Sequence, residues 1–159
     1  MSQEEFTRDV LKTWEMSECR PIVTPGDPIS TKLPEEGTPD QLDPEDVLRA
    51  QKMAGSLIWL STRTRPDISY AQSRISSMAT KAPQRAVIEG LRVLRYLKGT
   101  KSVGLWFKSC ENDGDIKAYT DANFGVKRSQ TGSVIKLGDN TVAWRSSELP
   151  ASVFEHSRK

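Results

Sequence analysis

Apolar residues recur at intervals of three or four positions along the chain as far as Gly99, and at intervals of two beyond it. Phe6, Val10, Leu11 and Trp14 predict a short helix over 4–16. From Cys19 to Pro44 that rhythm stops. Pro21, Pro25, Pro28, Pro34, Pro39 and Pro44, with Gly26 and Gly37, predict a long irregular connector, because each proline fixes its own φ and lacks a backbone donor. Helical signals resume at Asp43, an N-cap residue followed by Pro44 at the first helical position and by Glu45 and Asp46 near the unpaired amides of the first turn. Val47, Gln51, Ala54, Leu57, Ile58 and Ser61 then share one face, which Leu48 and Trp59 widen. Pro66 disfavours helix at Arg65 and can open a second helix with Ile68, Ala71, Ile75 and Met78 inward. Lys81-Ala82-Pro83 breaks that helix. A third follows from about Gln84 to Lys98 on Val87, Ile88, Leu91, Leu94 and Leu97, with Gly99 as its stop.

The alternating part predicts strands at 102–108, 115–120, 131–137 and 141–144. The acidic turn Glu111-Asn112-Asp113-Gly114 and the hairpin connection Gly138-Asp139-Asn140 separate them. The fold class expected is α+β, a small helical unit followed by an antiparallel sheet. Its three parts are an N-terminal helix and connector over 1–42, a three-helix unit over 43–99, and a strand-rich unit over 102–159.

Composition narrows the function classes. The 159 residues are 36% hydrophobic and 28% charged. No apolar run approaches the ~20 residues that span a bilayer. The acidic start MSQEEFTRDV lacks the pattern of a secretory signal, so an intracellular, non-membrane setting is expected. Cys19 and Cys110 stand far apart with no neighbouring thiol, which argues against a disulfide or a thiolate metal site. The charge is uneven. Residues 1–60 hold 6 basic and 12 acidic side chains, residues 61–108 hold 10 and 2, and residues 109–159 hold 7 of each. Arg85, Arg92, Arg95, Lys98 and Lys101 crowd the third helix and its exit, as a phosphate-contacting surface for DNA or an RNA–DNA hybrid would require. Solvated helix faces give the same count.

Among carboxylates Asp121 is distinctive, because it closes a predicted strand beside small residues and could hold a divalent cation. Glu111, Asp113 and Asp115 lie in or beside the preceding turn, where acids are ordinary turn formers. His156, flanked by Glu155 and Ser157, reads as a solvated tail residue, since a catalytic triad needs separately anchored elements. Trp59, Trp106 and Trp144 read as core residues. Gly90, Gly99, Gly104 and Gly132 form no phosphate-binding loop pattern.

Three stretches resemble Ty1/copia-type retrotransposon Pol polyproteins: MAGSLIWLSTRTRPDISYAQSRIS at 53–76, RVLRYLKGTKSVGLWF at 92–107, and YTDANFG at 119–125 with SQTGSVIKLGDNTVAWRSS at 129–147. FTRDVLKTWEMSECRPIVTPGDP at 6–28 is similar to the family's preceding linker. The resemblance implies a late reverse-transcriptase or connection region over 6–99, then the opening strands of an incomplete ribonuclease H-like fold. It also implies that Asp121 descends from a metal ligand for Mg2+ or Mn2+ in the intact ancestral enzyme, and that the remainder of a longer Pol polyprotein is a partner. Two departures matter. Asp121-Ala122-Asn123-Phe124 stands where the family often carries a second aspartate and a tryptophan. The stretch ELPASVFEHSRK at 148–159 lacks the family's next glutamate motif. Two-metal hydrolysis needs several carboxylates around ions ~4 Å apart, so no complete catalytic machinery is expected in this fragment; the alternatives are a segment active only within a longer polyprotein and a non-catalytic nucleic-acid-binding or scaffold protein.

Overall fold

A computed structural model describes residues 1–26, 42–109, 114–123 and 129–149. The chain divides into two compact units, Met1–Gly104 and Leu105–Lys159.

The first unit contains α1 (Glu4–Thr13), α2 (Pro44–Arg63), α3 (Ser69–Met78) and α4 (Pro83–Gly99). The start of α2 is as the sequence predicts. Asp43 accepts a hydrogen bond from the Glu45 amide at 2.9 Å, and Pro44 occupies the first turn. Pro66 opens not an α-helix but a 3-10 turn, Pro66–Ile68, which leads into α3. The core joins Val10 and Leu11 of α1 to Met53, Leu57 and Leu60 of α2, Ile68, Ile75 and Met78, and Val93, Leu94 and Leu97 of α4.

The buried face of α2 differs from the expected one. Ala50, Met53, Ala54, Leu57, Leu60 and Ser61 are buried, whereas Leu48, Ile58 and Trp59 face solvent. Both sets have helical spacing, and close packing against α4 selects between them. Met53 lies over Gly90 of α4, where a Cβ would fall 2.3 Å from the Met53 Cγ. Only a residue without a side chain admits that approach. On α4 itself Ile88 is exposed, and Gly90 and Val93 take the inward positions.

The second unit carries β1 (Ile116–Asn123), β2 (Ser129–Leu137) and β3 (Asn140–Leu149), an antiparallel sheet in the order β1-β2-β3. Helices followed by this three-stranded sheet give the α+β class expected, matching an incomplete ribonuclease H-like opening. Gly138 takes φ 58° at the first position of the two-residue β2–β3 connection, the place glycine fills in a type II′ hairpin. Val142 is the extra residue of a bulge, because Ile135 pairs with Ala143 and Lys136 with Thr141.

The expected first strand, 102–108, does not form. Backbone alternation makes a strand only where a neighbour completes the ladder. Here the Asn140 carboxamide is a substitute for one. Its Oδ1 accepts from the Lys108 amide at 2.7 Å, and its Nδ2 donates to the Lys108 carbonyl at 2.8 Å. Trp106 is 84% exposed rather than in a core, and Trp59 too lies at the surface; Trp144 is half-buried in β3. The turn at Glu111 and Asp113 lies outside the described residues, as do Cys110 and the connector between 27 and 41.

Candidate nucleic-acid interface and metal-ligand position

The apolar positions of α4 face the core, so its basic residues fall on the flanks. They do not share one free face. Arg85 is paired with Glu89 one turn on, its Nη2 2.9 Å from Oε1. Arg95 donates from Nε to the Arg20 carbonyl at 2.9 Å, and Lys98 donates from Nζ to the Ser17 carbonyl. Arg92 is half-buried, with its Nε enclosed and unbonded among the described residues. Lys101 is half-buried just beyond the helix. From Arg92 to Lys98 is six residues, about 120° around the helix.

Residues 17–22 therefore lie along the last turns of α4, and the Ile22 amide donates to the Arg95 carbonyl at 3.4 Å. Gly99 makes room for that strap, since a Cβ there would meet Pro21 at 3.1 Å. Cations in the last turn of a helix gain from nearby carbonyls, and these two have found them within the chain.

The stretches 64–68 and 96–100 meet in a buried polar clamp. Arg65, only 1% exposed, donates from Nη2 to Asp67 Oδ2 at 2.8 Å and from Nε to Oδ1 at 3.0 Å. Its remaining donors reach across to α4's end, Nη1 to the Thr100 carbonyl at 2.8 Å and Nη2 to Thr100 Oγ1 at 2.7 Å. The Tyr96 hydroxyl donates to Asp67 Oδ2 at 2.8 Å, and the guanidinium lies 5.5 Å from the Tyr96 ring. Burial pushes the Asp67 carboxyl up, but hydrogen bonds from Arg65 and Tyr96 and the Arg65 charge outweigh it and hold it below its ordinary value. Burial, with the hydrogen bond to Asp67 and its charge, raises the Tyr96 phenol. These charge-assisted hydrogen bonds fix α3's entry against α4's exit.

Asp121 lies in β1 opposite Gly132, exposed to solvent. Its Oδ1 accepts from the Ala122 amide at 2.8 Å. Asp115 sits before β1, where its carbonyl accepts from the Gly138 amide at 2.8 Å. Among the described residues no three His, Cys, Asp or Glu side chains gather into a metal-holding group. Among the described residues the donors around Asp121 do not make up the several converging carboxylates that a two-cation hydrolytic centre needs. Glu155, His156 and Ser157 lie outside the described residues. Cys19 is a free thiol. No described helix is long and apolar enough to cross a membrane.

A different set of residues combines charge with aromatic surface. Arg49 lies 5.8 Å from the Trp14 ring and Arg63 lies 4.8 Å from the Trp59 ring, which Phe6 meets edge-on at 6.5 Å. Thr13, Trp14, Glu15, Arg49 and Lys52 line an open concavity of about 360 Å³. The sequence held a signal for this set in the helical spacing of 49, 52, 59 and 63. Reading Trp59 as core concealed it.

No protein-family model matches the chain, and no solved structure does. Relatives are found by sequence. The chain is 32% identical over 92% of its length to the retrovirus-related Pol polyprotein from transposon RE1 of Arabidopsis thaliana, and 28% identical over 92% to that from transposon TNT 1-94 of Nicotiana tabacum. It covers 10% and 11% of those proteins. It is 33% identical over 94% of its length to an uncharacterized mitochondrial protein of Arabidopsis thaliana, of which it covers 61%.

Proposed function

We propose, from the premise that this chain belongs to the family of retrotransposon Pol polyproteins and their relatives, that it is a copia-type segment running from the late reverse-transcriptase region into a ribonuclease H-like domain. Its role is to contact nucleic acid through phosphates and to hold neighbouring parts of a longer Pol protein in place, with no hydrolysis of its own. The observation that carries this reading is the clamp. Two of the stretches that carry the resemblance, 53–76 and 92–107, supply Arg65, Asp67, Tyr96 and Thr100 to one buried network. Motifs used in that way build a rigid helical platform and leave the chemistry to other residues.

The partner in this reading is DNA or an RNA–DNA hybrid, bound without sequence preference. Arg92 of α4 and Lys101 just beyond it are the groups nearest to that task, while Arg85, Arg95 and Lys98 are already engaged by Glu89 and two backbone carbonyls. Asp121 remains as a single family-matched acid, and Mg2+ or Mn2+ belongs to the intact ancestral enzyme. Phosphate contact releases counterions, so binding falls steeply as salt rises. The test is fluorescence anisotropy of a labelled hybrid and a labelled DNA duplex across a salt series. Similar affinity for unrelated sequences and a negative log–log salt slope are expected; salt-independent or sequence-selective binding contradicts the reading.

A freestanding binding or scaffold protein is the second reading. It is kept because one relative that is not named as a Pol polyprotein, the uncharacterized mitochondrial protein, is matched over 61% of its length.

A further inference from the structure

The exposed side of α2 bears a stripe that neither the core nor the clamp uses. Arg49, Lys52, Ser56, Trp59 and Arg63 follow one another at intervals of three and four, so they form one line along the helix. All but the half-buried Ser56 are exposed, and Ser56 turns its hydroxyl back onto the Lys52 carbonyl at 3.1 Å. From Arg49 to Arg63 the rise is about 21 Å. The line itself contains no acid. Trp14, just past α1, and Phe6 within it flank the line, the first beneath Arg49 and the second against Trp59.

We propose that this stripe is a track for single-stranded nucleic acid, with phosphates on Arg49, Lys52 and Arg63 and a base stacked at the Trp59–Arg63 pair. The proposal rests on the reading of the chain as nucleic-acid-contacting and adds to the α4 groups a second surface, for an unpaired strand. Two features point to this ligand. The cations at both ends lie near tryptophan rings, which restrains the guanidinium groups before any ligand arrives. A tryptophan 46% exposed between cations offers what an unpaired base can use and a duplex cannot, since duplex bases are already stacked. The concavity formed by Thr13, Trp14, Glu15, Arg49 and Lys52 lies at the start of the track. Glu15 there, with Glu45 and Asp46 in the first turn of α2, repels phosphate, so the strongest contacts fall toward Arg63. An acidic peptide would satisfy the cations but would leave Trp59 unused.

The experiment titrates the whole chain at low salt with labelled oligothymidylate, with an abasic oligomer of equal length, and with polyglutamate. Three proteins are compared: wild type, Trp59→Ala, and the triple variant Arg49→Gln/Lys52→Gln/Arg63→Gln. An Arg92→Gln/Lys101→Gln variant serves as the α4 control, and circular dichroism verifies that each is helical. The triple variant should lose roughly tenfold or more in oligothymidylate affinity, and Trp59→Ala about tenfold, with abasic binding little changed by Trp59→Ala. Quenching of tryptophan fluorescence should accompany binding of the thymidylate but not of the abasic oligomer. A triple variant within twofold of wild type overturns the proposal. If the α4 control loses binding instead, the stripe is wrong while the nucleic-acid reading stands; if wild type binds neither oligomer nor duplex, both fall. Polyglutamate binding as tight as thymidylate, with no effect of Trp59→Ala, shows a generic polyanion surface and refutes the stacking.

Discussion

Replacing Arg65 by methionine removes the guanidinium from the centre of the clamp while keeping much of its volume. Five hydrogen bonds disappear: three to Asp67 and two to Thr100. The Asp67 carboxylate keeps the Tyr96 hydroxyl but loses its counter-charge. Breaking a buried ion pair from one side costs about 3–5 kcal/mol, because the other charge is stranded. The Asp67 side chain is 30% exposed, so water relieves part of this and about 3 kcal/mol is expected. Asp67→Asn strands the fully buried guanidinium instead and belongs at the upper end of that range. Tyr96→Phe removes one bond to a partly exposed carboxylate and should cost about 1 kcal/mol. Urea unfolding, followed by the helical circular dichroism of the first unit, measures all three. The double variant Arg65→Met/Asp67→Asn should cost less than the sum of the singles, by at least about 1 kcal/mol. Strict additivity, or Arg65→Met within about 0.5 kcal/mol of wild type, refutes the clamp as a source of stability. The pH dependence has a definite sign. The Asp67 carboxyl is lowered on folding, so the unfolded chain binds its proton more readily. That contribution is complete above the ordinary carboxylate value, about 4, and is lost as pH falls through the lower folded value. Asp67→Asn should flatten this part of the acid limb.

Other substitutions separate packing from propensity. Gly90→Ala places a Cβ against Met53 and should destabilise by about 1–3 kcal/mol, measured by the same urea curves. Gly55→Ala, in the middle of α2 with nothing within 4 Å of the new Cβ, should stabilise by about 0.5–1 kcal/mol. Asp43→Ala removes the α2 cap and should cost about 1 kcal/mol, visible also as faster amide exchange at Glu45.

The three main helices and the β2–β3 hairpin were legible in the sequence because local signals set them: a cap at Asp43, breaks at Pro66 and Pro83, and a glycine at 138. What escaped depended on partners distant in the chain. Residues 102–108 alternate as a strand does, yet Lys108 finds the Asn140 side chain rather than a backbone ladder. Two apolar stripes compete on α2, and packing against the other helices, as where Met53 lies over Gly90, decides between them. Arg65 looks like a surface cation until Thr100 and Tyr96 close over it. The basic residues of α4 were correctly located on that helix, but no local pattern foretells that residues 17–22 return to receive Arg95 and Lys98. Asp121 stood out as an acid at a predicted strand end, but only the resemblance gave it a metal-ligand ancestry, since one acid on an exposed strand has no signature of its own.

The central claim, contact with nucleic acid without hydrolysis by this 159-residue polypeptide, meets its most direct test in an assay for cleavage of the RNA strand of an RNA–DNA hybrid. Contaminant-free wild-type protein and Asp121→Asn are each incubated with the hybrid in magnesium and in manganese. Asp121 has no described group of carboxylates around it to share two cations, so neither protein should cut and the two traces should coincide. Metal-dependent cleavage by wild type that vanishes in Asp121→Asn contradicts the account.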